Sequence, residues 1–335
     1  DMVCEKNANS THNFDTDAIE YFIENDWMHA KSTTLGADNG IGMAMQLAIL
    51  ANKTLPHPTI ECLFTTDEET GLYGASNIAS DLLTGSTLIN LDSEEEGEFC
   101  IGCAGGTDTL AKLKIEYEPT PEKFFFFTVK INGLKGGHSG EDINKNRANA
   151  IKLLSDYLAI LQTKTDIRIV QINGGNLRNA IPREIETLLA VPMKDKELVR
   201  IEINHFIYEV ETSFATSEPH INIELESTTS KEKVIKKHIS DGLIESLKNC
   251  PNGVWQMNST IPDLVETSTN LAAIHTLENE ILIETSQRSS SEPNKREIAE
   301  IVGAVFKKIG AEIEKGKDYP GWEPKMESPI LALCT

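Results

Sequence analysis

Between Asn39 and Cys103 the chain alternates short apolar segments of helical and strand character, and that alternation restricts the fold more than any other feature. The run "NGIGMAMQLAILAN" is helix-like, "TIECLFTT" reads as a buried strand, "GLYGASNIASDLL" as a second helix and "STLINLD" as a second short strand. Strand, helix and strand in so few residues predict a parallel pair, because parallel strands need a crossover. The first part of the chain is therefore expected to be α/β, a mixed or parallel sheet with helices on both faces.

Past Gly105 the pattern changes. The strand-like "KFFFFTVKINGL" is followed by a glycine turn and by a helix in which Ile151, Leu154, Leu158 and Leu161 form one apolar stripe. Two strands, "DIRIVQING" and "REIETLLAV", a helix near Lys196 to Ser213 and the strand "HINIELES" come next. Strand, helix, two strands, helix and strand is the split βαβ order of a ferredoxin-like unit. The stretch from Lys231 to Glu314 repeats helix, strands and helix once more. At 335 residues, two domains are the expectation.

The chain carries 52 acidic and 31 basic side chains, a formal net charge of −21, which repels phosphate backbones and anionic lipid. No apolar run approaches the roughly 20 residues that span a bilayer. No nucleic acid and no membrane are expected as partners. The six cysteines are sparse and irregular, unlike a disulfide scaffold, so a cytoplasmic setting is expected. Cys100 and Cys103 form a C-x-x-C without the second pair or histidine of a zinc knuckle, and "EFCIGCAGG" reads as strand and turn.

Three acidic sites fall where an α/β sheet places its ligands, outside the carboxyl ends of strands or in the turn that enters a helix. Asp38 opens a helix in "TTLGADNGIG", Glu68 and Glu69 follow a strand in "LFTTDEETG", and Asp92 ends one in "LINLDSEEE". Taken singly, Asp38 reads equally as an N-cap, and the acidic runs read as solvated faces. Taken together, carboxylates gathered at the ends of a buried sheet repel one another unless a cation is present. Mixed carboxylate and imidazole ligation would favour zinc, with cobalt or manganese as alternatives.

Those motifs, in order with "DMVCEKN", "CIGCAGG", "GLKGGHSGEDINKNRANAIKLL", "RNAIPRE", "QRSS" and "YPGWEP", resemble the aminoacyl-histidine dipeptidases (Xaa-His dipeptidase, peptidase D) of the M20 family of dinuclear metallopeptidases. The resemblance implies two Zn2+ ions bridged by Asp38, with Asp92 a ligand of one and Glu69 of the other. It makes Glu68 the general base, and Asp1 the aspartate of the H-x-D motif that orients a metal-binding imidazole. Neither histidine ligand of the family lies within these 335 residues, so they alone are expected to bind zinc weakly and to be inactive.

In the lid, the resemblance makes His138 of "GGHSGED" the oxyanion-stabilising histidine. It makes Asn179 and Arg288 substrate-holding residues, the arginine pairing with the peptide's free carboxylate. The implied organisation is a catalytic α/β domain over 1–106, an inserted α+β lid of ferredoxin-like halves over 107–308, and a return to the catalytic domain over 309–335. The implied reaction is hydrolysis of dipeptides of the Xaa-His type, with a homodimer through the lid as the expected association. Removal of an acyl group from an amino acid, and a non-catalytic metal-binding or oligomerising role, are the alternatives.

Overall fold

The computed structural model describes residues 4–7, 10–69, 72–92, 97–229 and 233–334. It divides into two compact units, Asp1–Cys100 with Glu327–Thr335, and Ile101–Met326.

The first unit opens with a hairpin, β1 (Tyr21–Glu24) and β2 (Trp27–Ala30), paired antiparallel. Its two-residue turn, Asn25-Asp26, has positive φ at both positions, which Asn and Asp tolerate better than other side chains. Helix α1 (Gly40–Ala51) forms where the compact apolar run predicts it. The second predicted helix contracts to one turn, α2 (Tyr73–Ser76). The two predicted strands, 59–66 and 86–92, carry no ladder among the described residues. The first is tied instead to the residues just before the second: the Glu61 carboxylate accepts the Thr84 and Gly85 amides, at 3.0 and 2.7 Å to Oε2. Leu88 and Ile89 stay 77% and 65% exposed. An apolar run becomes a strand only when a neighbour takes its backbone groups, and here none of the described residues does.

The second unit begins with β3 (Gly105–Lys114), β4 (Tyr117–Glu118), β5 (Phe124–Asn132) and β6 (Gly137–His138), then α3 (Ala150–Gln162), β7 (Arg168–Gly174), β8 (Ala180–Ile181) and β9 (Ile185–Pro192). It continues through α4 (Lys196–Ser213), β10 (Asn222–Thr228), β11 (Val234–Ile235), α5 (Lys237–Asn249), β12 (Gly253–Met257), β13 (Val265–Thr276), β14 (Glu280–Ser289), α6 (Glu292–Lys307) and β15 (Glu312–Tyr319). A short helix, α7 (Pro329–Cys334), lies beyond it. Among the described residues nine strands join in one sheet, ordered β10-β5-β9-β7-β13-β14-β3-β15 with β12 added against β13. Every pairing in that sheet is antiparallel.

This order is two split βαβ units laid edge to edge. In the first, β5, α3, β7, β9, α4 and β10 give strands in the order fourth, first, third, second. In the other, β3, α5, β13, β14, α6 and β15 give the mirror sequence, with the whole first unit inserted after its opening strand. The join is short: β7 meets β13 at Gly174 with Ile274 and Asn173 with His275. The ferredoxin-like halves predicted from sequence are therefore present. Because β15 pairs with β3, this compact unit extends to Met326, past the 309 at which the chain was expected to return to the first domain.

The core lies between the sheet and its helices. Asn149 caps α3 by accepting the Ile151 and Lys152 amides, and the predicted stripe of Ile151, Leu154, Leu158 and Leu161 is fully buried. Each such side chain contributes about 1.5–3 kcal/mol by leaving water. Strand β5 explains its run of phenylalanines by alternation: Phe125 and Phe127 enter the main core, and Phe126 a smaller cluster with Val170, Leu188, Ala190 and Val234. Lys295, also fully buried, is offset by Glu292 at 2.8 Å, Asp318 at 3.0 Å and the Tyr319 carbonyl at 2.6 Å. The entering and leaving strands of this unit are tied where Cys103 and Trp322 exchange backbone hydrogen bonds of 2.8 and 2.7 Å.

Candidate active site

Two groups of chemically competent residues stand in the structure, one in each unit. In the first unit, the turn into α1 and the end of the 86–92 segment are joined by one side chain. Asn39 caps α1, its Oδ1 accepting the Gly42 amide at 2.9 Å, while its Nδ2 donates to the Leu91 carbonyl at 2.6 Å. Gly42 is required there, since a Cβ would stand 2.7 Å from the Asn39 amide nitrogen. The Asp38–Asn39 peptide bond is cis. With Asn39 so tied, Asp38 and Asp92 come within electrostatic and hydrogen-bonding reach of one another. Partial desolvation, followed by the charge of Asp92, raises the Asp38 pKa from its ordinary value.

Glu68 and Glu69 sit on a loop folded back against the start of α2. The Leu72 amide donates to the Glu68 carbonyl, Tyr73 to Asp67 and Gly74 to Thr66, at 2.9, 3.1 and 2.9 Å. A Cβ on residue 74 would lie 2.4 Å from the Thr66 carbonyl oxygen, so the loop closes only over glycine. Glu68 is raised in pKa by burial first, then by the charges of Glu69, Asp92 and Asp38. Asp38, Glu68 and Asp92 thus act on one another electrostatically, with Glu69 beside Glu68. Asp1 lies outside the described residues.

The donor set fits a divalent cation in kind: hard oxygen ligands whose mutual repulsion a proton or a cation relieves. It falls short in number, because no three His, Cys, Asp or Glu side chains among the described residues converge closely enough to hold an ion.

The other group lies at one end of the large sheet. The β6–β8 pairing sets His138 opposite Ala180, and the Ser139 amide donates to the Asn179 carbonyl at 2.8 Å. The His138 amide is held by Asp142 Oδ2 at 2.8 Å, and that carboxylate is itself paired with Lys145 at 2.9 Å. Gly137, at φ 146°, has no room for a Cβ against the Asp142 carboxylate. Arg288, on β14, pairs across the sheet with Ser268 and Gly106, and its Nη2 lies 3.4 Å from His138 Nε2. Burial, followed by the Arg288 charge, lowers the imidazole pKa, which favours the neutral ring near pH 7. Arg178, next to Asn179, is paired with Asp108 at 3.1 Å. The structure therefore brings His138, Asn179 and Arg288 together within the second unit. Sequence reasoning missed Asn39 and Asp142, though an asparagine directly before an apolar helical run is an N-cap signal.

Comparison with known proteins follows the same division. A peptidase dimerisation domain of the M20 type matches residues 111–212. The cytosol non-specific dipeptidase of Escherichia coli is 37% identical over 333 residues, 99% of this chain and 69% of that protein. The crystal structure of an aminoacylhistidine dipeptidase from Vibrio alginolyticus, 39% identical, superposes with a TM-score of 0.90 over 99% of this chain and 68% of that one. An α/β architecture with a large inserted α+β unit is common to both chains. This chain belongs to the M20 family of dipeptidases.

Proposed function

We propose that the protein hydrolyses the peptide bond of dipeptides, those ending in histidine included, in a metal-dependent reaction for which Glu68 is the general base. The observation that carries this reading is the Asn39–Leu91 tie, which brings Asp38 and Asp92 within reach of one another with Glu68 in electrostatic range, three carboxylates from separate loops. Asp38, Glu69 and Asp92 would hold the metal, two zinc ions in our reading. A bound pair of divalent ions supplies Lewis acidity at the scissile carbonyl and makes water acidic enough to attack near neutral pH.

Glu68 takes the proton of the attacking water on its carboxylate and gives it to the leaving amine. Partial desolvation and the neighbouring carboxylates raise its proton affinity, which suits a group that must hold a proton between two steps. In the second unit the neutral His138 ring donates a hydrogen bond to the developing oxyanion, and the Arg288 guanidinium pairs with the free carboxylate of the dipeptide. Asn179, held beside Ser139, orients the substrate. Recognition of a free terminus by the second unit would exclude long chains.

The match to a dimerisation domain supports a homodimer through the second unit. A cytoplasmic setting accords with a cytosol-named relative, and no helix among the described residues is long and apolar enough to cross a membrane.

The test is hydrolysis of alanyl-histidine and N-acetyl-histidine by the full-length protein, with and without a chelator. The dipeptide should be cleaved only with metal present, and Glu68→Gln should lower turnover by about 10²–10⁴-fold with an unchanged Tm. Chelator-resistant cleavage, faster cleavage of the N-acyl compound, or a Glu68→Gln variant of normal rate would each reject the proposal.

A further inference from the structure

Glu218 is only 1% exposed, and a carboxylate so deeply buried needs partners that replace its water. It has one on each oxygen. Oε2 accepts the Lys135 amide at 2.7 Å, and Oε1 accepts the Ala148 amide at 3.0 Å. A backbone N–H binds a charged acceptor more strongly than a neutral one, and here a single side chain makes two such bonds.

Those two amides are the ends of one segment. Lys135 follows β5, and Ala148 precedes Asn149, the cap of α3; the chain between them carries both His138 and Asp142. Glu218 itself stands in the turn between α4 and β10, and β10 begins where β5 ends, with Asn222 opposite Asn132. The two backbones approach closely there, since Gly133 has no room for a Cβ against the His220 carbonyl. The turn is itself tied: the Glu218 amide donates to the Phe214 carbonyl at 2.8 Å, and the Ile221 amide donates to the Glu218 carbonyl at 3.2 Å.

Within the segment the ties to the sheet are few. The β6–β8 pairing that holds His138 covers two residues, too short a ladder to be stable alone. Fixing both ends of a loop to one group removes much of the conformational freedom that such a ladder must otherwise overcome. We infer that Glu218 is a positioning residue for the reaction, its carboxylate fastening both ends of the loop 135–148 and so setting where the His138 imidazole stands. Its hydrogen bonds go to backbone amides and not to the imidazole, so it acts through the loop. The inference rests on the reading of His138 as the oxyanion donor.

The experiment is a double-mutant cycle in the full-length protein: wild type, Glu218→Gln, His138→Ala and the double variant, with kcat and KM read on alanyl-histidine. Glutamine matches the shape of glutamate but can accept only one of the two amides, its own NH2 opposing the other. The expected result for Glu218→Gln is a loss of about 10–10²-fold in kcat with KM little changed, since an oxyanion donor acts in the transition state. In the His138→Ala background the same substitution should cost nothing further. An equal loss in both backgrounds, a loss confined to KM, or no loss at all would overturn the inference, the first because Glu218 would then serve the fold at large. Should Glu218→Gln fail to fold, Glu218→Asp, which keeps the charge but is one methylene short of spanning both amides, is read in its place by the same criteria. His138→Ala at the wild-type rate would instead overturn the oxyanion reading, and the inference with it.

Discussion

The two units solve the problem of holding functional side chains in opposite ways. In the second, Arg288 is placed by a nine-stranded antiparallel sheet with a helix layer and a buried apolar core, and His138 by the β6–β8 pairing and the Asp142 carboxylate. In the first, Asp38, Glu68 and Asp92 are placed by single ties: Asn39 to Leu91, and three loop hydrogen bonds ending at Gly74. Helix α1 leaves Ile41, Met43, Met45, Leu47 and Leu50 all exposed, where α3 buries its whole stripe. Carboxylates that repel one another suit the first kind of framework, since their geometry is completed by what they bind rather than by packing.

That contrast is sharpest in the cost of truncating an apolar side chain. Leu158→Ala removes a fully buried residue of α3 and should cost about 2–5 kcal/mol in urea unfolding. Ile41→Ala in α1, at 66% exposure, should change stability by no more than about 0.5 kcal/mol. Equal losses would mean that α1 is packed as tightly as α3, and the comparison would fail.

A smaller and opposite-signed difference is expected with pH in the metal-free protein. The hydrogen bond from Lys295 holds the Glu292 carboxyl below the usual carboxylate range, so its contribution is complete at neutral pH and is lost as pH falls below about 4. Asp38 and Glu68 are raised instead, so the folded state binds their protons more tightly and gains stability as pH falls from neutral towards about 4. Amide hydrogen exchange, corrected for intrinsic rates, reads both. Protection at Gly42 and Leu72 should rise on acidification, while protection at Gly321, bound to Glu292 at 2.9 Å, should fall. Movement of all three in one direction would remove the electrostatic half of the contrast.

What the sequence disclosed follows the same line. The second unit was legible because its elements carry their periodicity openly: the 3.6-residue stripe of α3, the period-two phenylalanines of β5 and the split βαβ order. Its end was misjudged because β15, "EIEKGKDY", is an edge strand with the charged composition that edges need, and reads as loop. In the first unit, the strand-like runs 59–66 and 86–92 promised a ladder that the described residues do not form, and the hairpin β1–β2 went unseen although Asn25-Asp26 signals its turn. Asp38, Glu68 and Asp92 stand out by their places at element ends, and in the structure their charges act on one another, although no three such side chains among the described residues converge closely enough to hold an ion.

The most direct test of the carboxylate cluster is calorimetric titration of zinc into the full-length protein, its Asp38→Asn variant, and a control, Glu314→Gln, on a strand of the second unit. The expected result is at least a tenfold loss of affinity in Asp38→Asn and none in the control. Unchanged affinity in Asp38→Asn would contradict a metal role for the residues that meet at Asp38 and Asp92.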